Sequence, residues 1–114
     1  MHIFLTGAST GIGNAIAREL DNHFKGAAFF SLSSRKKELL DDLAKTLKSK
    51  SAVYAADLSE PAVAEMTLER AVKEHGPIDI LINNAGMSVR KPAHLLDLDD
   101  WNTVIDTNLT SAFI

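Results

Sequence analysis

The sequence predicts an α/β fold, a parallel sheet covered by helices, and three observations carry that prediction. Short apolar runs alternate with longer stretches of helical period, about four times along the chain. Each run is bounded by Gly, Ser, Asn or Asp, as buried parallel strands are. A glycine-rich segment joins the first run to the first helical stretch. The 114 residues hold one domain or part of one, with no repeat, low-complexity tract or linker to divide residues 1–114.

The elements follow in order. His2–Thr6 is the first strand, and Ile12 to Phe24 the first helix. Ala27–Leu32 is the second strand, followed by a helix from Lys36 to Lys48 with Leu39, Leu40, Leu43 and Leu47 on one face to pack on the sheet. Ala52–Ala56 is the third strand. The third helix runs from Pro61 to His75: Ser59 can cap it, Pro61 needs no donor in the first turn, and Gly76-Pro77 stops it. Ile78–Asn83 is the fourth strand and the only one β-branched enough to stand alone. Beyond a polar loop, Asp97 can cap a last helix whose apolar stripe is Trp101, Val104, Ile105, Leu109, Ala112 and Phe113. That helix has no stop signal before Ile114, so the sheet reads as truncated after about four strands.

Composition narrows the function. With 46% hydrophobic and 24% charged residues, the chain is neither disordered, collagenous nor a coiled-coil rod. No apolar run reaches the ~18 residues that cross a bilayer, and the start has no signal-peptide pattern, so a cytoplasmic protein without a membrane partner is expected. The absence of cysteine excludes disulfides, thiolate metal sites and a thiol nucleophile. A net charge of -3 gives no reason to expect nucleic acid. His2, His23, His75 and His94 lack metal spacing and read as surface or strand-end histidines. Asp41-Asp42 and Asp99-Asp100 read as solvated helix charges.

The chemistry concentrates after the strands. Gly7-Ala8-Ser9-Thr10-Gly11-Ile12-Gly13 follows a strand and opens a helix, where glycines permit a tight turn and close approach, and free N–H groups favour a pyrophosphate. No Gly-Lys-Ser/Thr ending is present, which disfavours ATP or GTP hydrolysis. A strand-to-helix turn alone also uses glycine, so the context matters. Past the second strand an NAD site carries an acid for the ribose hydroxyls, and an NADP site an arginine for the 2′-phosphate. Here Ser33-Ser34-Arg35-Lys36-Lys37 has cations and no acid, which favours NADP through Arg35, while Lys36 and Lys37 read as solvated charges at a helix start. In a sheet of order 3-2-1-4 the first and fourth strands are neighbours, so Asn83, Asn84 and Gly86 face the glycine loop. Asp57 is either a ligand or a turn residue. Asn108 lies on the apolar stripe, where burial demands a partner or a trapped water.

Taken together these residues resemble the short-chain dehydrogenase/reductases, oxidoreductases that move a hydride between NAD(P) and an alcohol or carbonyl. The likeness runs from Thr6-Gly7-Ala8-Ser9-Thr10-Gly11-Ile12-Gly13 through Asp57-Leu58 and Asn83-Asn84-Ala85-Gly86 to Asp100-Trp101 and Asn108-Leu109. It implies a Rossmann-type doubly wound sheet. It also implies cofactor contacts from Gly7, Ser9, Thr10, Gly11, Ile12 and Gly13 to the pyrophosphate, and from Ser34 and Arg35 to the 2′-phosphate. Asp57 and Leu58 would border the adenine, and Asn84, Ala85 and Gly86 would line the adenosine and nicotinamide-ribose side. Asn108 matches the catalytic asparagine that holds a water in the proton relay. The family's Tyr-x-x-x-Lys pair is missing: the one tyrosine, Tyr54, is followed four residues later by Leu58, and Ser88 and Ser111 precede the place of the catalytic serine. The chain alone is therefore expected to bind cofactor without turnover, with a small alcohol or carbonyl substrate and homo-oligomer contacts belonging to an intact parent. A non-catalytic NADP-sensing module and a non-functional truncated product are the alternatives.

Overall fold

The computed structural model describes residues 1–114. Four parallel strands, β1 (His2–Thr6), β2 (Phe29–Ser34), β3 (Lys50–Ala55) and β4 (Ile80–Ile82), form one sheet in the order β3-β2-β1-β4. Helices α1 (Gly11–Phe24), α2 (Lys37–Thr46) and α3 (Pro61–His75) make the crossovers, and α4 (Leu98–Ile105) follows β4. A π turn over Asp106–Thr110 and a short α5 (Ser111–Phe113) complete the chain.

Alternation along β1 separates the two faces of the sheet. Ile3 and Leu5 pack with Phe30, Leu32, Ala17 of α1, and Leu40 and Leu43 of α2. Phe4 points the other way and meets Tyr54 and Ala71 of α3. Helices α1 and α2 thus cover one face and α3 the other, the doubly wound arrangement whose chain reversal falls between β1 and β4. Register aligns the strand ends: Leu5 is opposite both Leu32 and Ile82, and Thr6 is opposite Ser33. The loops after β1, β2 and β4 therefore open at one edge of the sheet.

Several boundaries differ from the sequence reading. β2 begins at Phe29, where its N–H meets the Met1 carbonyl, two residues later than expected. β3 starts two residues earlier, at Lys50, because it pairs with Phe29. β4 shrinks to Ile80–Ile82, the residues with partners on β1. Leu39 lies at the margin of the α2 face and is 36% exposed, whereas Leu40 and Leu43 are buried. Ser59 does not cap α3: the cap position is Glu60, which offers no side-chain bond, and the N–H of Ser59 is engaged by Asp57.

His2 is no ordinary strand-end histidine either. It is 5% exposed; its Nδ1 donates to the Gly76 carbonyl at 3.0 Å, and its Nε2 pairs with the Ser31 hydroxyl at 2.8 Å. Strand β1 is central, so even its first residue is covered. Asp100 is likewise more than a solvated charge: with Asp97 it forms a reciprocal cap of α4, and its carboxylate pairs with Lys91 at 2.7 Å.

The last helix departs most from expectation. It is broken by the π turn, and its apolar stripe is largely uncovered, with Trp101 63%, Leu109 65% and Phe113 91% exposed. No layer of this chain packs against that stripe. No helix is long and apolar enough to cross a membrane.

Candidate functional site

At the C-terminal edge of the sheet the loops after all four strands enclose a cleft of about 380 Å³. The loop after β1 contributes Gly7, Ser9, Thr10, Ile12 and Gly13. Ser34 and Arg35 enter from the end of β2, Asp57 and Leu58 from the turn after β3, and Asn84, Ala85 and Gly86 from the loop after β4. Sequence reasoning named all of these. Gly11, named with them, does not line the cleft.

The glycine loop is held by contacts that exclude a side chain. Gly7 sits at φ +66°, and a Cβ there would lie 2.8 Å from the Asn84 amide nitrogen. At Gly13 a Cβ would collide with the Gly7 carbonyl oxygen and stand 2.5 Å from the same amide. The reason is the pairing of β1 with β4. Asn84 Nδ2 donates to the carbonyls of Thr6 and Gly7, both at 3.1 Å, and the Thr6 hydroxyl accepts from the N–H groups of Asn84 at 3.0 Å and Ala85 at 2.9 Å. Asn84 is thus a clamp as well as a wall of the cleft.

Asp57 is a turn residue, as one of its two readings has it, and it stands at the cleft. It lines the cleft, and its carboxylate accepts the Ser59 N–H at 3.0 Å in an Asx turn. Ser59, through its hydroxyl and its N–H, holds the Asp57 carboxyl below the usual carboxylate range, with the nearby Arg35 guanidinium acting in the same direction.

Lys36 and Lys37 have different fates. Lys37 pairs with Asp41 at 2.7 Å along α2, a solvated helix pair as expected, whereas Lys36 lines the cleft beside Arg35. Lys36 is exposed, as the solvated reading has it, and it also borders the cleft. Ala56, Ser59, Met87, Thr103 and Thr107 also line the cleft and were missed. Threonines four apart share one helix face, but no signal in the sequence turns that face toward the cleft.

Asn108 is exposed, not buried on a packed stripe. Its carboxamide nevertheless has its partners: Nδ2 donates to the Met87 carbonyl and Oδ1 accepts the Met87 N–H, both at 2.8 Å. The side chain therefore fixes the loop beyond Gly86, and a Cβ at Gly86 would come within 3.0 Å of it.

Tyr54 stays away from the cleft. It is 4% exposed between Phe4 and Ala71, and its hydroxyl donates to Glu74 at 2.9 Å. Burial, reinforced by the Glu74 carboxylate, pushes its phenol up to about 12.

A parallel α/β sheet of order 3-2-1-4, with a glycine turn into α1 and a cleft across the switch between β1 and β4, is a Rossmann-type fold. The short chain dehydrogenase family profile matches residues 1–114, and the chain belongs to that family. An acetoacetyl-CoA reductase of Shinella zoogloeoides is 38% identical over 112 residues, covering 96% of this chain and 44% of the reductase. A metagenomic short-chain oxidoreductase solved with NADP superposes with a TM-score of 0.87 at 30% identity, over 99% of this chain and 52% of that one. A short-chain dehydrogenase from Burkholderia cenocepacia, also solved with NADP, gives 0.87 at 27% identity over 97% of this chain and 46% of its own. The chain spans less than half the length of the curated relative it matches.

Proposed function

We propose that this chain binds NADP in the cleft and, within an intact oxidoreductase, forms the cofactor side of a site that interconverts an alcohol and a carbonyl. One observation carries the reading: four strand ends, each with residue types suited to a different part of a dinucleotide, line one cleft. The residues fit the group. The cradle is kept tight by a Gly13 that admits no Cβ, and α1 opens beside it with unpaired N–H groups, the setting that favours a pyrophosphate.

In this reading Gly7, Ser9, Thr10, Gly11, Ile12 and Gly13 form the pyrophosphate cradle, with Gly11 contributing backbone shape rather than cleft wall. Ser34 and Arg35 receive the 2′-phosphate, Asp57 and Leu58 border the adenine, and Asn84, Ala85 and Gly86 flank the nicotinamide-ribose side. NADP is favoured over NAD because β2 ends in Ser34-Arg35-Lys36, with no carboxylate to take up ribose hydroxyls. The NADP in both solved relatives supports the preference.

When bound, the nicotinamide supplies or accepts the hydride at C4. Asn108 takes the catalytic-relay position by family likeness, and its bonds to Met87 suit a residue that also shapes the site wall. Proton transfer to substrate has no candidate here. Tyr54 is buried against Glu74 with its phenol pushed up to about 12, the opposite of what a general acid near neutrality needs. Binding without turnover is the behaviour expected of these 114 residues alone. A small-molecule substrate and homo-oligomer contacts belong to the intact protein.

Parallel fluorescence titrations with NADPH and NADH test the proposal. NADPH should bind roughly tenfold or more tightly, the scale of one or two charge-assisted hydrogen bonds, and Arg35→Ala should erase the difference. Equal or tighter NADH binding by the unaltered chain would sink the NADP assignment.

A further inference from the structure

We propose that His2, Ser31, Tyr54 and Glu74 form a hydrogen-bond chain that reverses direction when His2 takes a proton, a pH-responsive latch of α3 onto the sheet. None of the four lines the cleft, so the latch does not depend on what binds there. The strand register draws the line. His2 is opposite Phe29, two residues before Ser31, and Ser31 is opposite Ala52, two residues before Tyr54. The three side chains therefore follow one diagonal across β1, β2 and β3, on the face that α3 covers. His2 Nε2 and the Ser31 hydroxyl are 2.8 Å apart, and the Tyr54 hydroxyl donates to Glu74 Oε2 at 2.9 Å. His2, Ser31 and Tyr54 are all buried, so water does not compete for their bonds. The Ser31 hydroxyl also acts on the Tyr54 phenol, which burial and Glu74 push up and Ser31 draws down.

The inventory of donors and acceptors fixes the direction. The Gly76 carbonyl can only accept, so Nδ1 of His2, 3.0 Å away, carries a hydrogen in either state. In neutral His2, Nε2 is then a bare acceptor, and the single Ser31 proton goes to it. In charged His2, Nε2–H donates to the Ser31 oxygen, and the Ser31 proton turns to the Tyr54 oxygen, whose own proton stays on Glu74. Every group has a partner in both states, and the charged state has one hydrogen bond more. Charge also strengthens the bond from Nδ1–H to Gly76, the residue that ends α3, so acid draws α3 closer to β1. Two acids favour the added charge: Asp79, whose Oδ2 accepts the His2 N–H at 2.7 Å, and Glu74 at the far end of the chain. Against it stand His75, its ring centred 6.2 Å from that of His2, the Met1 ammonium, Lys50 beyond Phe29 in the register, and Arg70, which pairs with Glu74 at 2.7 Å.

NMR of the full chain with its own N-terminus tests the latch. Long-range nitrogen–proton spectra should show the neutral His2 ring with its hydrogen on Nδ1. As the pH falls, the Tyr54 Cζ shift should move in step with the His2 ring, and Ser31→Ala should uncouple the two. Tyr54→Phe removes the oxygen that takes the Ser31 proton only in the charged state, so it should lower the His2 midpoint by roughly 0.5 to 1 pH unit, the scale of one neutral hydrogen bond. His75 lies 3.8 Å from Glu74 Oε2 and could move Tyr54 by its own titration, so the coupling should survive His75→Gln. Circular dichroism checks folding, and Tyr54→Phe carries the test should Ser31→Ala unfold. A neutral ring protonated on Nε2, a Tyr54 shift that ignores His2 or vanishes with His75→Gln, or a Tyr54→Phe midpoint within about 0.2 unit of the unaltered chain would overturn the proposal.

Discussion

Gly13 carries the strictest demand of any residue in the cleft, since a single added methyl would meet the Gly7 carbonyl and the Asn84 amide. Gly13→Ala should cost about 3 kcal/mol in denaturant unfolding, the upper range for overpacking a tight site, and should weaken NADPH binding by displacing the loop. Asp21 makes a second residue-scale prediction. Its buried carboxylate accepts the N–H groups of Lys48 at 2.7 Å and Ser49 at 2.8 Å, tying α1 to the chain entering β3. Burial pushes this carboxyl up, but the hydrogen bonds from Ser49 and Lys48 outweigh it and hold it below its ordinary value. A depressed folded-state pKa gives stability that is present above the unfolded value near ~4 and lost as pH falls below it. Unfolding followed from pH 7 to 3 should show that acid loss, and Asp21→Ala should remove about 3 kcal/mol at pH 7 while flattening the acid limb. That Arg35 and Asn84 line the cleft was legible in the sequence, because their places follow from motif and strand order. The exposure of Asn108 was not, because burial depends on what covers a helix rather than on its own periodicity.

Among the elements, α4 is set by its start and α2 by one face. Asp97 accepts the Asp100 N–H at 2.8 Å, and Asp100 returns to the Asp97 N–H, so two of the free donors at the helix start are satisfied. Asp97→Ala should lower stability by about 1 kcal/mol and reduce helical signal at 222 nm, whereas Asp99→Ala, which removes a first-turn charge but no cap bond, should cost only about 0.3 kcal/mol. The Asp97 half of this cap was readable from its place before the apolar stripe, whereas Asp100, read as a solvated charge, proved to be the other half. The π turn after α4 was not, since nothing in the spacing of Asp106–Thr110 distinguishes it from continued helix. The strands show the same division. Their order followed from the glycine turn and the alternation of elements, but β2 and β3 shifted by two residues because ladder partners across the sheet, not local composition, define where pairing begins.

For the whole molecule, the buried groups cluster on β1 to β3, while β4 and the last helix stand at an open side, with Leu81 48% exposed on the sheet edge. The extents of 50 × 26 × 21 Å and a radius of gyration of 14.7 Å, against about 13 Å for a compact chain of this length, reflect that uneven cover. The lone tyrosine reports on the well-packed part. Because the phenol of Tyr54 is pushed up to about 12 in the folded protein, its neutral form contributes stability that is intact below the unfolded value near ~10 and lost as pH rises from there toward 12. Absorbance at 295 nm should therefore show no phenolate at pH 10.5, and a titration centred near ~10 in a folded chain would contradict the packing around Tyr54. The sequence by itself determined the order of elements, the glycine turn into α1, the Asp97 cap and the residue types at the four strand ends, because each rests on neighbours a few positions apart. Only the tertiary structure decided that Lys36 borders the cleft, that His2 is buried, and that Thr103 and Thr107 face the strand ends. Those outcomes depend on which distant segments the sheet register brings together, and no local spacing encodes that.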